Sequence, residues 1–74
     1  MKNKVIMTMD KIRKLASLVE ECSNDDEMAH FMEGNLWRIV LLAIAENEIP
    51  KDEIVNACKI ALSTQDIEFD RWFA

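Results

Sequence analysis

The sequence contains very few residues that bend or break a chain, with one glycine and one proline among 74 residues. It also has no tyrosine, and Gly34 and Pro50 both fall between apolar segments. A turn-rich β protein or a disordered chain would need more glycine and proline than this. The composition therefore predicts an all-α fold, and the length predicts a single domain over residues 1–74.

Long hydrophobic runs are also missing. The longest one, residues 39–45, is far too short to span a membrane, and residues 5–7 are too short for the core of a secretory signal. Cysteine is scarce as well, because Cys22 and Cys58 are the only two. We therefore expect a cytoplasmic protein with two reduced thiols; a Cys22–Cys58 disulfide is the alternative.

Positive charge is scarce outside the N-terminus of this acidic chain, whose formal net charge is −5. Residues 1–14 hold five bases and one acid, a net of +4, whereas residues 15–74 hold thirteen acids and four bases. We expect residues 1–7 to form a flexible basic arm, with peripheral membrane contact through residues 1–14 as one use for it. The acidic body disfavours nucleic acid and favours a basic protein partner.

Apolar periodicity predicts a compact bundle of four to five short helices. The first is expected over residues 9–21, with Thr8 as its N-cap. A second helix over residues 25–33 would bury the apolar side chains Met28, Phe31 and Met32. Gly34 is expected to end this second helix; one helix continuing through Gly34 is the alternative, because glycine inside a helix costs only about 1 kcal/mol.

The third predicted helix, about residues 36–47, is apolar on nearly every side, and Arg38 is the only charged residue among its first ten. We expect this helix to be the centre of the bundle, covered by the others. A buried Arg38 would then need a carboxylate partner, for which Glu33, Asp66 and Asp70 are the candidates.

A fourth helix is predicted over residues 51–62, after Pro50, and a short fifth helix over residues 65–72. The alternation of Ile67, Phe69 and Phe73 with polar residues also fits an extended tail. We favour the helix, because the sequence offers no second strand to pair with such a tail.

Catalytic and metal-binding signatures are absent from the sequence. A single histidine, His30, and two distant cysteines lack the paired spacing of a metal site and the local signature of an activated nucleophile. His30 is expected at the surface or boundary of a helix. We therefore predict neither an enzyme nor a cofactor.

The remaining candidates are contacts with another protein. Aromatic residues and arginine are enriched at binding hot spots, and clustered acids suit a basic partner. The predicted partner-binding residues are Arg38, Trp37, Phe69, Trp72, Phe73, Glu20, Glu21, Asp25 and Asp26. We also expect a homodimer, since so apolar a core can extend across a twofold axis.

The sequence thus predicts a small acidic regulator that binds a protein without catalysis, as an inhibitor, adaptor or antagonist. One alternative is a DNA-binding transcriptional regulator, because residues 43–62 have the apolar rhythm of a helix-turn-helix with Ile49 and Ile54. Against it, Asp52 and Glu53 place negative charge at the start of the reading helix. The other alternative is a soluble partner of a membrane protein.

Overall fold

The computed structural model describes residues 7–71, which form three α-helices and two short 3-10 turns. The helices are α1, Met9–Glu21; α2, Asp26–Ala45; and α3, Ile54–Ser63. The 3-10 turns, Lys51–Glu53 and Thr64–Asp66, lie immediately before and after α3. No strand occurs in the described part of the chain, so the all-α prediction is confirmed, but the prediction of four to five helices is wrong.

The first predicted helix is confirmed, and its N-terminus is capped as expected. Thr8 has extended backbone, and its side-chain oxygen accepts a hydrogen bond from the backbone N–H of Lys11 at 3.2 Å. Ile12 and Val19, two turns apart, are fully buried. This face holds α1 against both of the other helices.

The second and third predicted helices are one continuous helix, so the prediction that Gly34 ends a helix is wrong. Ala29 and Leu36, on either side of Gly34, are both fully buried, and their burial outweighs the modest helical cost of glycine. The left-handed residue that ends α2 is Asn47, with φ of 60°. Glu48 N–H donates to Ala43 O and Asn47 N–H donates to Ile44 O, the hydrogen-bond pattern of a Schellman motif.

One core joins the three helices and the loop between α2 and α3. Its buried apolar members are Ile12, Val19, Leu36, Val40, Ala43, Ile49, Ala57 and Ala61. Met7, the last residue of the predicted flexible arm, is half-buried against this core, and residues 1–6 of the arm lie outside the described residues. The α2 helix contributes to the core along one side only, so the expectation of a helix covered on several sides is wrong.

The fourth predicted helix is present, but its first turn is the 3-10 turn Lys51–Glu53. The fifth is absent from the described residues, where a single 3-10 turn is followed by irregular chain from Ile67 to Arg71. Two contacts hold this segment in place. The backbone N–H of Asp70 donates to Asp26 Oδ1 at 3.0 Å, and Arg71 reaches back to Glu33.

Candidate protein-binding surface

The side of α2 that faces away from the core exposes large apolar residues. Phe31 is 62% exposed and Leu41 is 67% exposed, and Leu42 is also exposed. The prediction that Phe31 and Met28 form a buried edge is therefore wrong, because Met28 is exposed as well, although Met32 does pack against the core. Helical periodicity places Phe31, Arg38, Leu41 and Leu42 on this side, which we call the outer face of α2.

An apolar groove runs between α2 and α3, with a volume of about 260 Å³. The residues that line this α2/α3 groove are Trp37, Val40, Leu41, Cys58, Ala61 and Leu62. Val40 and Ala61 are buried, whereas Leu41 and Leu62 are exposed. The groove thus has a buried floor and exposed apolar sides, the form that a partner helix with an apolar stripe can fill.

Trp37 links the two sides of the α2/α3 groove. Its indole Nε1–H donates to the carbonyl oxygen of Ala61 at 2.8 Å, which satisfies the only polar atom of a half-buried side chain. This hydrogen bond fixes α3 against α2 near the end of the groove. Of the predicted partner-binding residues, Trp37 is the one that lines this surface.

Both cysteines are free thiols and half-buried. Cys58 lines the α2/α3 groove, and Cys22 ends α1 as its C-cap. The alternative of a Cys22–Cys58 disulfide is therefore not seen in the structure, in which both thiols are free as expected.

Arg38 does not form the predicted ion pair with Glu33, Asp66 or Asp70. Its side chain is exposed on the outer face of α2, where its guanidinium donates to Asn35 Oδ1 at 3.0 Å. The prediction assumed that an apolar helix buries its one cation. Because this side of α2 is open, Arg38 is solvated and needs no carboxylate.

The charged group that does need a partner on α2 is Glu33, which is only 3% exposed. Arg71 donates to both of its carboxylate oxygens, from Nε at 2.9 Å and from Nη2 at 3.0 Å. Thr64, also buried, donates its hydroxyl to Glu33 Oε2 at 2.7 Å. A two-fold fork of this kind is the strongest common geometry for an arginine–carboxylate pair.

These hydrogen bonds set the ionisation of the pair. Burial by itself raises the pKa of Glu33, but the hydrogen bonds from Arg71 and Thr64 outweigh it and hold the pKa below the usual 4.5. Hydrogen bonding to Glu33 raises the pKa of Arg71 in turn. Glu33 is therefore a structural carboxylate that stays ionised near neutral pH, rather than a poised acid or base.

Arg71 also fixes the aromatic residue that precedes it by two positions. Its guanidinium lies 3.8 Å from the centre of the Phe69 ring and donates to the backbone carbonyl of Thr64 at 2.8 Å. Phe69 is half-buried against the core, so its ring forms intramolecular contacts, and its role in binding a partner stays a prediction. The other two predicted aromatic contacts, Trp72 and Phe73, lie outside the described residues.

The predicted acidic patch is spread over the junction between α1 and α2. Glu20 and Glu21 are exposed at the end of α1. Asp25 is the N-cap of α2 and accepts from the backbone N–H of Met28 at 3.2 Å, while Asp26 accepts from Asp70. Two of the four acids thus have structural roles.

A shallow concavity of about 300 Å³ lies beside Asp25 and is lined by Glu27, Met28 and Phe31 as well. It combines exposed apolar side chains with negative charge. An acidic patch was predicted here from the sequence, but the exposure of the neighbouring Met28 and Phe31 was not.

His30 lies at a boundary position on α2, as predicted, and is half-buried. Over residues 7–71, no group of three or more histidine, cysteine and acidic side chains is arranged to hold a metal ion. Within the same residues, no helix is both long enough and apolar enough to cross a membrane.

Sequence reasoning missed most of the residues of this surface. Leu41 lies in the predicted third helix, which was expected to be covered by the others because a uniformly apolar helix gives no periodic signal for its exposed side. Glu33 and Arg71 were not paired because they are 38 residues apart. The one available signal for the groove was Trp37, an aromatic with a polar atom that needs a partner.

Comparisons with protein-family models, with curated proteins and with solved structures found no significant match to this chain.

Proposed function

We propose that this protein is a small cytoplasmic regulator that acts without catalysis by binding another protein in the α2/α3 groove. The observation that carries the proposal is the groove itself. Its six lining residues, which include the exposed Leu41 and Leu62, form an almost entirely apolar surface. Exposed apolar surface that is concave and continuous is typical of a protein interaction site. The mode of action, as an inhibitor, adaptor or antagonist, is part of the proposal.

Burial of the groove would supply binding energy with little reorganisation. Leu41 is two-thirds exposed and Leu62 is 53% exposed, so a partner that covers both removes a large apolar area from water at roughly 25 cal/mol per Å². The hydrogen bond from Trp37 to Ala61 already joins the two helices, so the groove exists before a partner binds.

The same surface accounts for two of the predicted partner-binding residues. Trp37 lines the groove, and Arg38 lies beside it on the outer face of α2.

The test is an affinity pull-down with the full chain from a lysate of its source cells, run with and without nuclease, with the bound proteins identified by mass spectrometry and the bound nucleic acid by gel electrophoresis. Leu41→Asp places a charge in the groove, and Phe31→Asp is its matched control on the same helix, at a similar exposure but outside the groove. We expect one stoichiometric protein that is recovered with the wild type and with Phe31→Asp, and lost with Leu41→Asp. Circular dichroism verifies that both variants stay folded.

The same experiment tests the other proposals. Recovery of nucleic acid that nuclease removes would contradict the proposal and favour the helix-turn-helix alternative. Recovery of a membrane protein that depends on the basic N-terminal residues and is unaffected by Leu41→Asp would favour the other alternative, a soluble partner of a membrane protein. No structural observation favours DNA binding by α3, because only one of its exposed residues is a cation; the exposed residues are Val55, Asn56, Lys59, Leu62 and Ser63.

A further inference from the structure

The charges around the α2/α3 groove have one sign, although the chain as a whole is acidic. Residues 37–45 of α2 and the whole of α3 together contain two charged residues, Arg38 and Lys59. Both are cations and both are exposed. The two helical segments that form the groove therefore carry a local charge of +2 in a chain of net charge −5.

Their positions place one cation on each side of the groove. Arg38 follows Trp37 directly and lies three residues before Leu41, and Lys59 follows Cys58 directly and lies three residues before Leu62. Residues three apart on a helix are neighbours on its surface. Each cation is thus next to one of the two exposed leucines that line the groove.

The groove has the geometry to hold a third helix. Trp37 contacts Ala61 and the earlier residue Glu33 contacts the later residue Thr64, so α2 and α3 run in opposite directions. The groove between two antiparallel helices follows their axes, and a helix that lies in such a groove presents apolar residues at positions i, i+3, i+4 and i+7.

We infer that the occupant is an amphipathic helix of another protein, with acidic residues on both flanks of its apolar stripe. The inference rests on the proposed function of the groove and names the partner's chemistry. Acidic flanks would lie opposite Arg38 and Lys59, whereas basic flanks would meet like charges. The acidic composition of the whole chain predicts a basic partner. The local positive charge of the groove predicts an acidic one instead.

A second copy of this chain fits the groove less well. Docking groove against groove brings Arg38 and Lys59 of both copies to the same interface, where like charges repel. The apolar stripe of α1 is not available either, because Ile12 and Val19 are fully buried in the core.

The probes for the test are two synthetic helical peptides of equal length with the same leucine stripe, one flanked by glutamates and one by lysines. Their affinities for the full chain are measured by fluorescence anisotropy at low and high salt. Two exposed ion pairs are worth about 1 kcal/mol or less each, so we expect the glutamate peptide to bind on the order of tenfold more tightly. Added salt reduces the difference.

The decisive variant is the double charge reversal Arg38→Glu with Lys59→Glu, which leaves the apolar lining intact. We expect it to reverse the preference, so that the lysine peptide binds more tightly. The matched control reverses two exposed cations outside the groove, Arg13→Glu with Lys14→Glu on α1, and keeps the preference for the glutamate peptide.

Occupancy of the groove is measured separately by the alkylation rate of Cys58 in a Cys22→Ser background, since Cys58 lines the groove. We expect the glutamate peptide to slow the modification of Cys58 severalfold. Binding without this protection would place the peptide elsewhere and overturn the inference.

Three other outcomes also overturn it. If the lysine peptide binds the wild type more tightly than the glutamate peptide does and protects Cys58, the groove is a binding site for a basic helix. A dimer in light scattering that Leu41→Asp dissociates makes a second copy the occupant. If neither peptide binds, the inference fails, while loss of the pull-down partner with Leu41→Asp still upholds the proposed function.

Discussion

The two sides of α2 each carry a charged residue, but one of these residues is buried and the other is exposed. On the inner side, Glu33 is almost completely buried and is ionised, because Arg71 and Thr64 satisfy both of its oxygens. On the outer side, Arg38 is solvated among exposed apolar residues. A charged residue in an apolar helix therefore does not indicate which side of the helix is exposed. Glu33 can be buried because residues far along the chain bind its carboxylate.

The largest expected contrast is between two leucines of α2. Leu36→Ala should lower the free energy of unfolding by about 3 kcal/mol, because Leu36 is fully buried and its removal leaves a cavity. Leu41→Ala should change it by less than about 1 kcal/mol, since Leu41 is two-thirds exposed. Urea denaturation followed by circular dichroism measures both. Equal losses would mean that the outer face of α2 is covered in solution.

The next contrast compares two arginines with the same substitution. Arg71→Met should cost about 2 to 3 kcal/mol of stability, because it leaves the buried carboxylate of Glu33 without its cation. Arg38→Met should stay within about 0.5 kcal/mol of the wild type, because its guanidinium is exposed. Thermal unfolding of both variants makes the comparison, and a larger loss for Arg38→Met would reverse our assignment of the two sides.

The inner side also predicts a pH dependence. The pKa of Glu33 is lower in the folded chain than the ordinary 4.5, so its contribution to stability is complete above that value. As the pH falls through the folded pKa, the carboxylate is protonated, the unfolded chain no longer binds more protons than the folded one, and this contribution is lost. Glu33→Gln should remove this component from the acid limb of a stability–pH curve. A variant as acid-sensitive as the wild type would show that other carboxylates dominate.

The smallest expected change in the free energy of unfolding comes from a substitution on the outer side of α2. Gly34→Ala should raise the free energy of unfolding by roughly 0.5 to 1 kcal/mol, because alanine is the better helix former. A Cβ at this position meets no atom within 4 Å, and Gly34 has no positive φ, so neither a clash nor backbone strain opposes the gain. Urea denaturation again measures the change. A loss of stability would indicate that another surface packs against Gly34 in solution.

Particular residues show how far the sequence was informative. The Thr8 cap and the stripe of Ile12 and Val19 predicted α1 correctly, because capping and amphipathic periodicity are local signals. Gly34 misled the prediction, because its intrinsic preference was weaker than the burial of the residues around it. The C-terminal end of α2 was predicted at about residue 47, close to its observed end at Ala45, although the left-handed conformation of Asn47 was not predicted.

The groove and the buried ion pair were beyond local reasoning. Leu36 and Leu41 are the same residue type, five positions apart on one helix, and only the positions of α1 and α3 make one buried and the other exposed. Arg71 was read as part of a fifth helix or tail, and nothing in its neighbours indicates a partner 38 residues earlier.

Composition and contacts within a few residues were enough to predict the helical class, the first helix and the apolar character of α2. The packing of the three helices places Gly34 inside a helix, buries Glu33 rather than Arg38, and brings Trp37, Leu41 and Leu62 to one groove. The physical reason is that burial is a property of the packed chain. Free energy from distant contacts outweighs the small local preferences that a sequence displays.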